Sequence, residues 1–600
     1  MKRKLLLLSL GLFGSAAAFA QGFTIQNLEL EVQHGDISAI DVNRDGHIDL
    51  LIGGHNTTVM LLMNDGSGNF VPAESIFMGS KHVSYSWGDI NGDGLPDLAQ
   101  AGIHEPNNIN PYTNIFTSNA AGVFTAFTGV TLPQMSPSVG LADLNNDGYQ
   151  DIFLFGNKQG GKSKIFFNNK QGGFTESAQF DAFDLWEPIV EAIDYDLDGD
   201  LDLFMMAAND ANLPNTVRYS RVLENNGSGV FTERNLGLQP KGNGSYSWGD
   251  YDSDGDLDIL LNGDGWLGSG EDNDNIYRLY RNDNGTFVEA AIFMDYRQIS
   301  LGDGSRFADW DNDGDLDIIV TGWSHNQGRQ ATDIYLNNNG TFTPHADNAK
   351  IPGVSESAIE VADTDNDGDL DLIMTGFSGN NYNGAGSAFA RNVSLIVKNP
   401  TTTTNAAPSM PANLRASLGS NGDITFTWDA ATDDKTSQNS LSYNLFVVGP
   451  DGRHFSYAMA DTTTGKLMMQ KMGNVALNRS WTLKGLPEGK YRWGVQAIDN
   501  AYVGSQFAKK SFSVAGGVLG AKDARAKFEM AVYPNPSQGL VNVKFENGKN
   551  YHVRVNAIDG RFVTETSASG AAQLQLTPGI YVMQVTDNQG SVETRRIVVQ

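Results

Sequence analysis

The chain has 600 residues, 70 Asp and Glu against 41 Lys and Arg, a formal net charge of −29 and no cysteine. Its length allows several domains with sizeable cores. The acidity argues against nucleic acid as a partner, and the absence of cysteine excludes disulfides and a lipid anchor built on a cysteine.

The chain opens MKRKLLLLSLGLFGSAAAFAQ. Lys2, Arg3 and Lys4 precede an apolar run that ends at Ala18-Phe19-Ala20. This pattern predicts a secretory signal peptide over residues 1–20, cleaved before Gln21. The apolar run is too short to span a bilayer, and no later stretch is long enough, so the protein is not expected to be membrane-spanning.

A nine-residue acidic motif then recurs seven times. DVNRDGHID offers Asp41, Asn43, Asp45, His47 and Asp49. DINGDGLPD offers Asp89, Asn91, Asp93, Leu95 and Asp97, and DLNNDGYQD offers Asp143, Asn145, Asp147, Tyr149 and Asp151. DYDLDGDLD supplies Asp194, Asp196, Asp198, Asp200 and Asp202, and DYDSDGDLD supplies Asp250, Asp252, Asp254, Asp256 and Asp258. DWDNDGDLD gives Asp309, Asp311, Asp313, Asp315 and Asp317, and DTDNDGDLD gives Asp363, Asp365, Asp367, Asp369 and Asp371.

Two carboxylates about 4 Å apart repel by roughly 4 kcal/mol near a protein surface, so this crowding calls for a counter-charge. Acids at positions 1, 3, 5 and 9, with Gly at position 6 for the sharp turn, suit one hard cation wrapped in oxygen ligands, which points to Ca²⁺. Position 7 varies from His to Leu to Asp, as expected of a ligand that uses its main-chain carbonyl. Affinity follows ligand charge, so the last four loops, with five Asp each, should bind more tightly than the first three. Arg44 weakens the first further. The seven loops hold 29 Asp, equal to the size of the net charge, so the acidity is mostly ligand chemistry.

Each loop runs into an apolar strand ending near Gly, as in DLLIGG, DIFLFG and DIIVTG. A turn such as NNNGTF (337–342) follows, and a strand-like stretch such as SYSWGD precedes the loop. Four short strands per unit of about 50 residues describe a propeller blade. The predicted fold is all-β, with a seven-bladed β-propeller over residues 21–398 followed by two small β-sandwich domains. The seventh unit ends at ARNVSLIV without its Gly-x-Phe turn, and QGFTIQ at Gln21–Gln26 is able to supply the missing strand. The repeats resemble the FG-GAP/VCBS family, best known from the integrin α-subunit propellers. That resemblance implies cation loops between the first and second strands of each blade, on the face opposite the usual ligand face.

Residues 399–410 (from NPTTTTNAAP) read as an extended linker. Alternation returns in DITFTWDAA, LSYNLFVVG, RSWTLKGL and KYRWGVQAID, which predict a β-sandwich over 411–515. LPEGKYRWGVQAIDNAYVGS resembles a fibronectin type III domain, with Tyr491 as its tyrosine-corner residue and Trp428 in its core. A second linker, 516–527, leads to residues 528–600. Their Tyr533-Pro534-Asn535-Pro536, Gly560-Arg561 and Gly579-Ile580-Tyr581 resemble the type A C-terminal sorting domain of type IX secretion cargo. The resemblance implies an interaction with the type IX machinery and attachment to the outer-membrane surface or release.

On the face away from the acidic loops, long connections between second and third strands carry Trp266, Trp323, Phe377 and Tyr382, with Tyr112, His104 and His325 near them. The connections between blades add Trp186 and Tyr296. Aromatic planes with amide neighbours suit a sugar or a peptide, although large aromatics at such places also pack between blades. Trp87, Trp248 and Trp310 read as packing residues. No nucleophile elbow and no paired-histidine metal motif is present. The leading reading is a secreted, surface-displayed, calcium-binding module that binds a glycan or a protein. A carbohydrate-active enzyme such as a lyase on the same scaffold, and a structural coat protein, stand as alternatives.

Overall fold

The computed structural model describes residues 23–600 except 56–58, 75, 105–109, 135–136, 157–161, 182, 184, 210–216, 243, 264–276, 291–296, 299–303, 325–327, 380–390, 420–421, 516–517, 521–529, 546–549, 559–560 and 588–591. The expected signal peptide, Trp266, Tyr296, Tyr382, His325, Gly560 and most of the linker 516–527 lie outside the described residues, as do the side chains of Trp186 and His104. The described chain forms two compact units. One runs to Leu486 and includes Trp493–Lys509; the other comprises Pro487–Arg492 and Lys510–Gln600.

The described structure is all-β, with a 3-10 turn at Asn348–Lys350 as its one complete helical element. Seven consecutive sheets fill residues 24–398. The first is a meander of Gln33–Ile40, Asp49–His55, Met60–Asn64 and Phe70–Pro72. Sheets over 80–126, 137–177, 186–234 and 246–289 repeat it. The sixth has five strands, because Arg297–Gln298 and Ser305–Ala308 both pair with Asp317–Ser324. In the seventh, Ser355–Ala362, Asp371–Phe377 and Asn392–Lys398 are completed by Thr24–Asn27, which pairs antiparallel with Asn392–Lys398.

The second strand of each sheet is the most apolar, because neighbouring sheets cover both of its faces. Asp151–Gly156 is buried at every position, whereas the outer strand Phe231–Arg234 is mostly exposed. Each sheet shares a core with the next. Leu51 and Leu61 pack with Trp87 and Leu98, and Phe204 meets Trp248 edge-on at 5.3 Å between ring centroids. Ile37 and Leu50 of the first sheet pack with Ile373 and Ile396 of the seventh. Phe23, just before the first strand, joins Trp310 in the core of the sixth and seventh sheets.

Beyond residue 411 a three-stranded sheet (Ala412–Leu418, Ile424–Asp429, Ser480–Leu483) accompanies a second sheet. There Ser442–Val448 lies between His454–Ser456 and Gly489–Ile498. Trp428 is buried. In the other unit, Tyr491 donates its hydroxyl to the Pro487 carbonyl at 2.7 Å, the bond a tyrosine corner requires. Within the expected linker 516–527, Val518–Gly520 turns back to pair with Ser513–Ala515. The C-terminal residues form two sheets of three and four strands around Val541, Val553, Met583, Val585 and Ile597. Among the described residues no helix is long and apolar enough to cross a membrane.

Candidate metal centres

All seven acidic loops join the first and second strands of their sheets and share one local construction. In the sixth loop, Asp309 accepts main-chain N–H bonds from Asp313 and Gly314, each at 3.0 Å. Asp313 accepts from Asp315 at 3.0 Å. Asp317 accepts from Trp310 at 2.8 Å and from Asn337 at 2.7 Å. The turn needs left-handed backbone at positions 4 and 6. Asn312 (φ 58°) and Gly314 (φ 101°) supply it here, and Leu197 (φ 59°) and Arg44 (φ 61°) adopt it at a steric cost elsewhere.

This wrapping aims several carboxylates at one point. In each of four groups, Asp194–Asp196–Asp202, Asp250–Asp252–Asp254, Asp309–Asp311–Asp317 and Asp363–Asp365–Asp367, one oxygen per residue lies within 4.8 Å of the others. All four belong to the last four loops. Buried carboxylate oxygens there lack a hydrogen-bond partner, including Asp202 Oδ2, Asp252 Oδ1, Asp311 Oδ1, Asp365 Oδ1 and Asp369 Oδ1. A buried acceptor left unpaired costs about 1–3 kcal/mol, more if charged. Burial, the largest cause, pushes the Asp202, Asp258 and Asp317 carboxyls up to about 9 and those of Asp194 and Asp250 to about 7. An all-oxygen donor set with orphaned oxygens fits a hard divalent cation, and these residues are able to hold one.

The first three loops relieve their charge differently. Asn43 and Asn91 donate to Asp45 and Asp93 at 2.9 and 3.0 Å, and Lys170 pairs with Asp147 at 3.1 Å. Most side chains at position 7 are engaged away from the loop centre, whereas that of Asp369 keeps an unpaired buried oxygen. Asp256 and Asp315 accept from the Asn284 and Asn339 main chain at 2.6 and 2.8 Å, Asn146 donates to Asp200 at 2.5 Å, and His47 meets Asn366. Tyr149 packs edge-on to Phe455 and under the Arg453 guanidinium. Leu95 enters through its main chain, which donates to Asp93 at 2.9 Å. Asn145 accepts from Asp147 at 3.1 Å, and Asp198 from Asp200 at 2.9 Å.

Two features escape a reading of the loops alone. The first is an Asn ending the third strand. Asn337 donates to the Leu316 carbonyl of its own loop at 3.0 Å and to Tyr251 of the preceding sheet's loop at 2.8 Å. Asn64, Asn225 and Asn399 bridge in the same way, to Thr364, Leu144 and Trp310. The Asn recurring two or three residues before a turn glycine, as at Asn64, Asn225 and Asn337, is the available signal. The second is that residues of the same compact unit, between Ser440 and Lys484 and at Asn500, lie against the loops themselves. Main-chain N–H groups of Asp41, Asp309 and Asp363 donate to Met468 O (2.8 Å), Asn500 O (3.3 Å) and Gln470 Oε1 (2.7 Å). Asp194 and Asp250 accept from Asn478 Nδ2 (2.6 Å) and Ser440 Oγ (2.8 Å). The remaining two loops meet Arg453 at Asn91 O (3.0 Å) and the Lys484 main chain at Asn146 O (2.6 Å). The expected linker is anchored too, by Asn405 Nδ2 to Asp499 at 2.8 Å.

Of the aromatic residues considered for a ligand, Trp323 and Phe377 end the second strands of the sixth and seventh sheets and are half-buried. Tyr112 is buried and donates to the Met78 carbonyl at 3.1 Å, a packing role.

The fold and loops define a propeller-like all-β repeat protein with oxygen-rich loops. A family model described as FG-GAP-like repeat matches residues 41–99, 143–205, 194–261 and 309–374, and a secretion system C-terminal sorting domain matches 531–600. The chain carries FG-GAP-like repeats and ends in a type IX sorting tail, which makes it a secreted cargo bound for the cell surface or the extracellular space. No curated protein matches it. Among solved structures, the FN1–FN3 domains of chicken CNTN1 align at 14% identity and TM-score 0.14, over 50% of this chain and 98% of that one. The extracellular domain of a hybrid two-component system from B. thetaiotaomicron aligns at 9% identity and TM-score 0.32, over 97% of this chain and 100% of that one.

Proposed function

We propose that the protein is a calcium-stabilised, surface-displayed propeller that presents a binding face to a glycan or a protein of its surroundings. The observation that carries this reading is the set of four carboxylate groups with orphaned buried oxygens. Calcium supplies the charge that these oxygens lack; the loop main chain and the third-strand Asn hold the carboxylates in place. A signal peptide over 1–20, a propeller over 21–398, a fibronectin-like sandwich over 411–515 and a sorting domain over 528–600 complete the proposed division. Because residues between Ser440 and Lys484, with Asn500, cover the loop side, a ligand is expected on the opposite side, near Trp323 and Phe377.

At tenfold saturation each site adds roughly 1.4 kcal/mol. Four sites would then shift the melting temperature of the larger unit by about 5 °C. Melting the purified protein in millimolar calcium and in chelator, with the bound metal counted, tests the first half. Equal melts and no bound calcium would refute it. A glycan array on the folded, calcium-loaded protein tests the second. Binding that is lost in Trp323→Ala and Phe377→Ala places the ligand; a silent array turns the search to protein partners, and turnover of a bound glycan would instead favour an enzyme.

A further inference from the structure

Position 1 of each loop is built alike, but two of the seven carry an addition. Asp194 accepts from Asp198 at 3.1 Å and Gly199 at 2.9 Å, as the motif requires, and then from Asn478 Nδ2 at 2.6 Å. Asp250 accepts from Asp254 at 3.1 Å and Gly255 at 3.0 Å, and then from Ser440 Oγ at 2.8 Å. Asp309 and Asp363 have the two main-chain donors and, among the described residues, no side-chain donor. Asn478 and Ser440 are 8% and 3% exposed, and both arrive from the region beyond the propeller.

We propose that Asn478 and Ser440 are positioning residues for divalent cations in the fourth and fifth loops, so that cation affinity at these two sites depends on the segments around Ser440 and Asn478 that dock on the propeller. The proposal rests on the calcium reading above. A donor on a ligating carboxylate fixes its rotamer and so holds its oxygens where a cation would meet them. Such partners of ligands typically govern metal affinity by 10–100-fold. Because the donors come from outside the propeller, the coupling is reciprocal: cations in these loops hold the segments around Ser440 and Asn478 in place.

Calcium titration calorimetry on the full chain tests this. Asn478→Ala and Ser440→Ala should each weaken one site about tenfold, and the double variant two, with the other sites unchanged. Ser440→Thr, which keeps the hydroxyl, should retain the affinity. A wild type that binds calcium beside a double variant with the same affinities would overturn the proposal and leave the calcium reading standing. A wild type that binds none would overturn both. Should the alanine variants not fold, hydrogen exchange on the wild type decides. Amides of 436–445 and 474–479 should exchange faster in chelator than in calcium while those of 424–429 do not, and identical rates would refute the coupling.

Discussion

Lys398 changes the ranking of the loops. Counting Asp places the seventh loop with the tight binders, but Lys398 Nζ lies 2.9 Å from both Asp365 Oδ2 and Asp371 Oδ2. An ammonium there occupies charge that a cation would use. At the same place in the other sheets stand Met63, Thr117, Phe167, Glu224, Arg281 and Leu336. Of these, Arg281 alone is a base, 3.9 Å from Asp252. Lys398→Met should therefore tighten calcium binding at the seventh loop by about tenfold, the lower end for a change beside the ligands. It should also lower the melting temperature in chelator, because buried Asp371 loses its partner. Calorimetry and melts on one variant check both signs; weaker calcium binding would show that Lys398 supports the site instead. The motif by itself cannot reveal this, since Lys398 lies 27 residues beyond Asp371.

At the scale of elements, the Asn that bridges from four of the third strands (Asn64, Asn225, Asn337 and Asn399) does what neither loop nor strand does alone. Asn337 satisfies carbonyls in two neighbouring sheets and accepts from Gly340 at 2.8 Å. Asn337→Ala leaves those buried carbonyls unpaired and should cost about 2–4 kcal/mol. Urea denaturation in calcium measures it; a loss below about 0.5 kcal/mol, the level of an ordinary surface change, would mean the bridges are incidental. The second sheet shows the partial form of the device. Ser118 keeps the main-chain bond to Asp97 at 2.9 Å, but its hydroxyl finds no partner. The strands and turns were legible because apolar runs and Gly-rich turns recur at a fixed period. The bridge was not, because its acceptor lies 86 residues away.

For the whole molecule, the buried carboxyls make stability depend on pH with a definite sign. Without metal, the folded values of about 7 to 9 for Asp194, Asp250, Asp202, Asp258 and Asp317 exceed the unfolded value of about 3.9. The folded chain thus keeps protons that the unfolded chain has released. This stability is fully present below about pH 4 and is lost as pH rises through 7 to 9. Protein stripped of metal should melt higher at pH 5.5 than at pH 8.5, and saturating calcium should flatten or reverse the difference. A metal-free melt that rises with pH would contradict this account.

The sequence by itself determined the all-β class, the repeat, the oxygen-rich loops and the sorting tail. Each is written in local patterns: alternation, a nine-residue spacing, and short motifs at the C-terminal end. Tertiary structure alone decided which carboxylate oxygens remain unpaired and that Lys398 shares the seventh loop. It also decided that Asn478 and Ser440 reach the fourth and fifth loops from more than 180 residues away. The physical reason is that hydrogen bonds and ion pairs act over a few ångströms, and only folding brings such distant residues within that range.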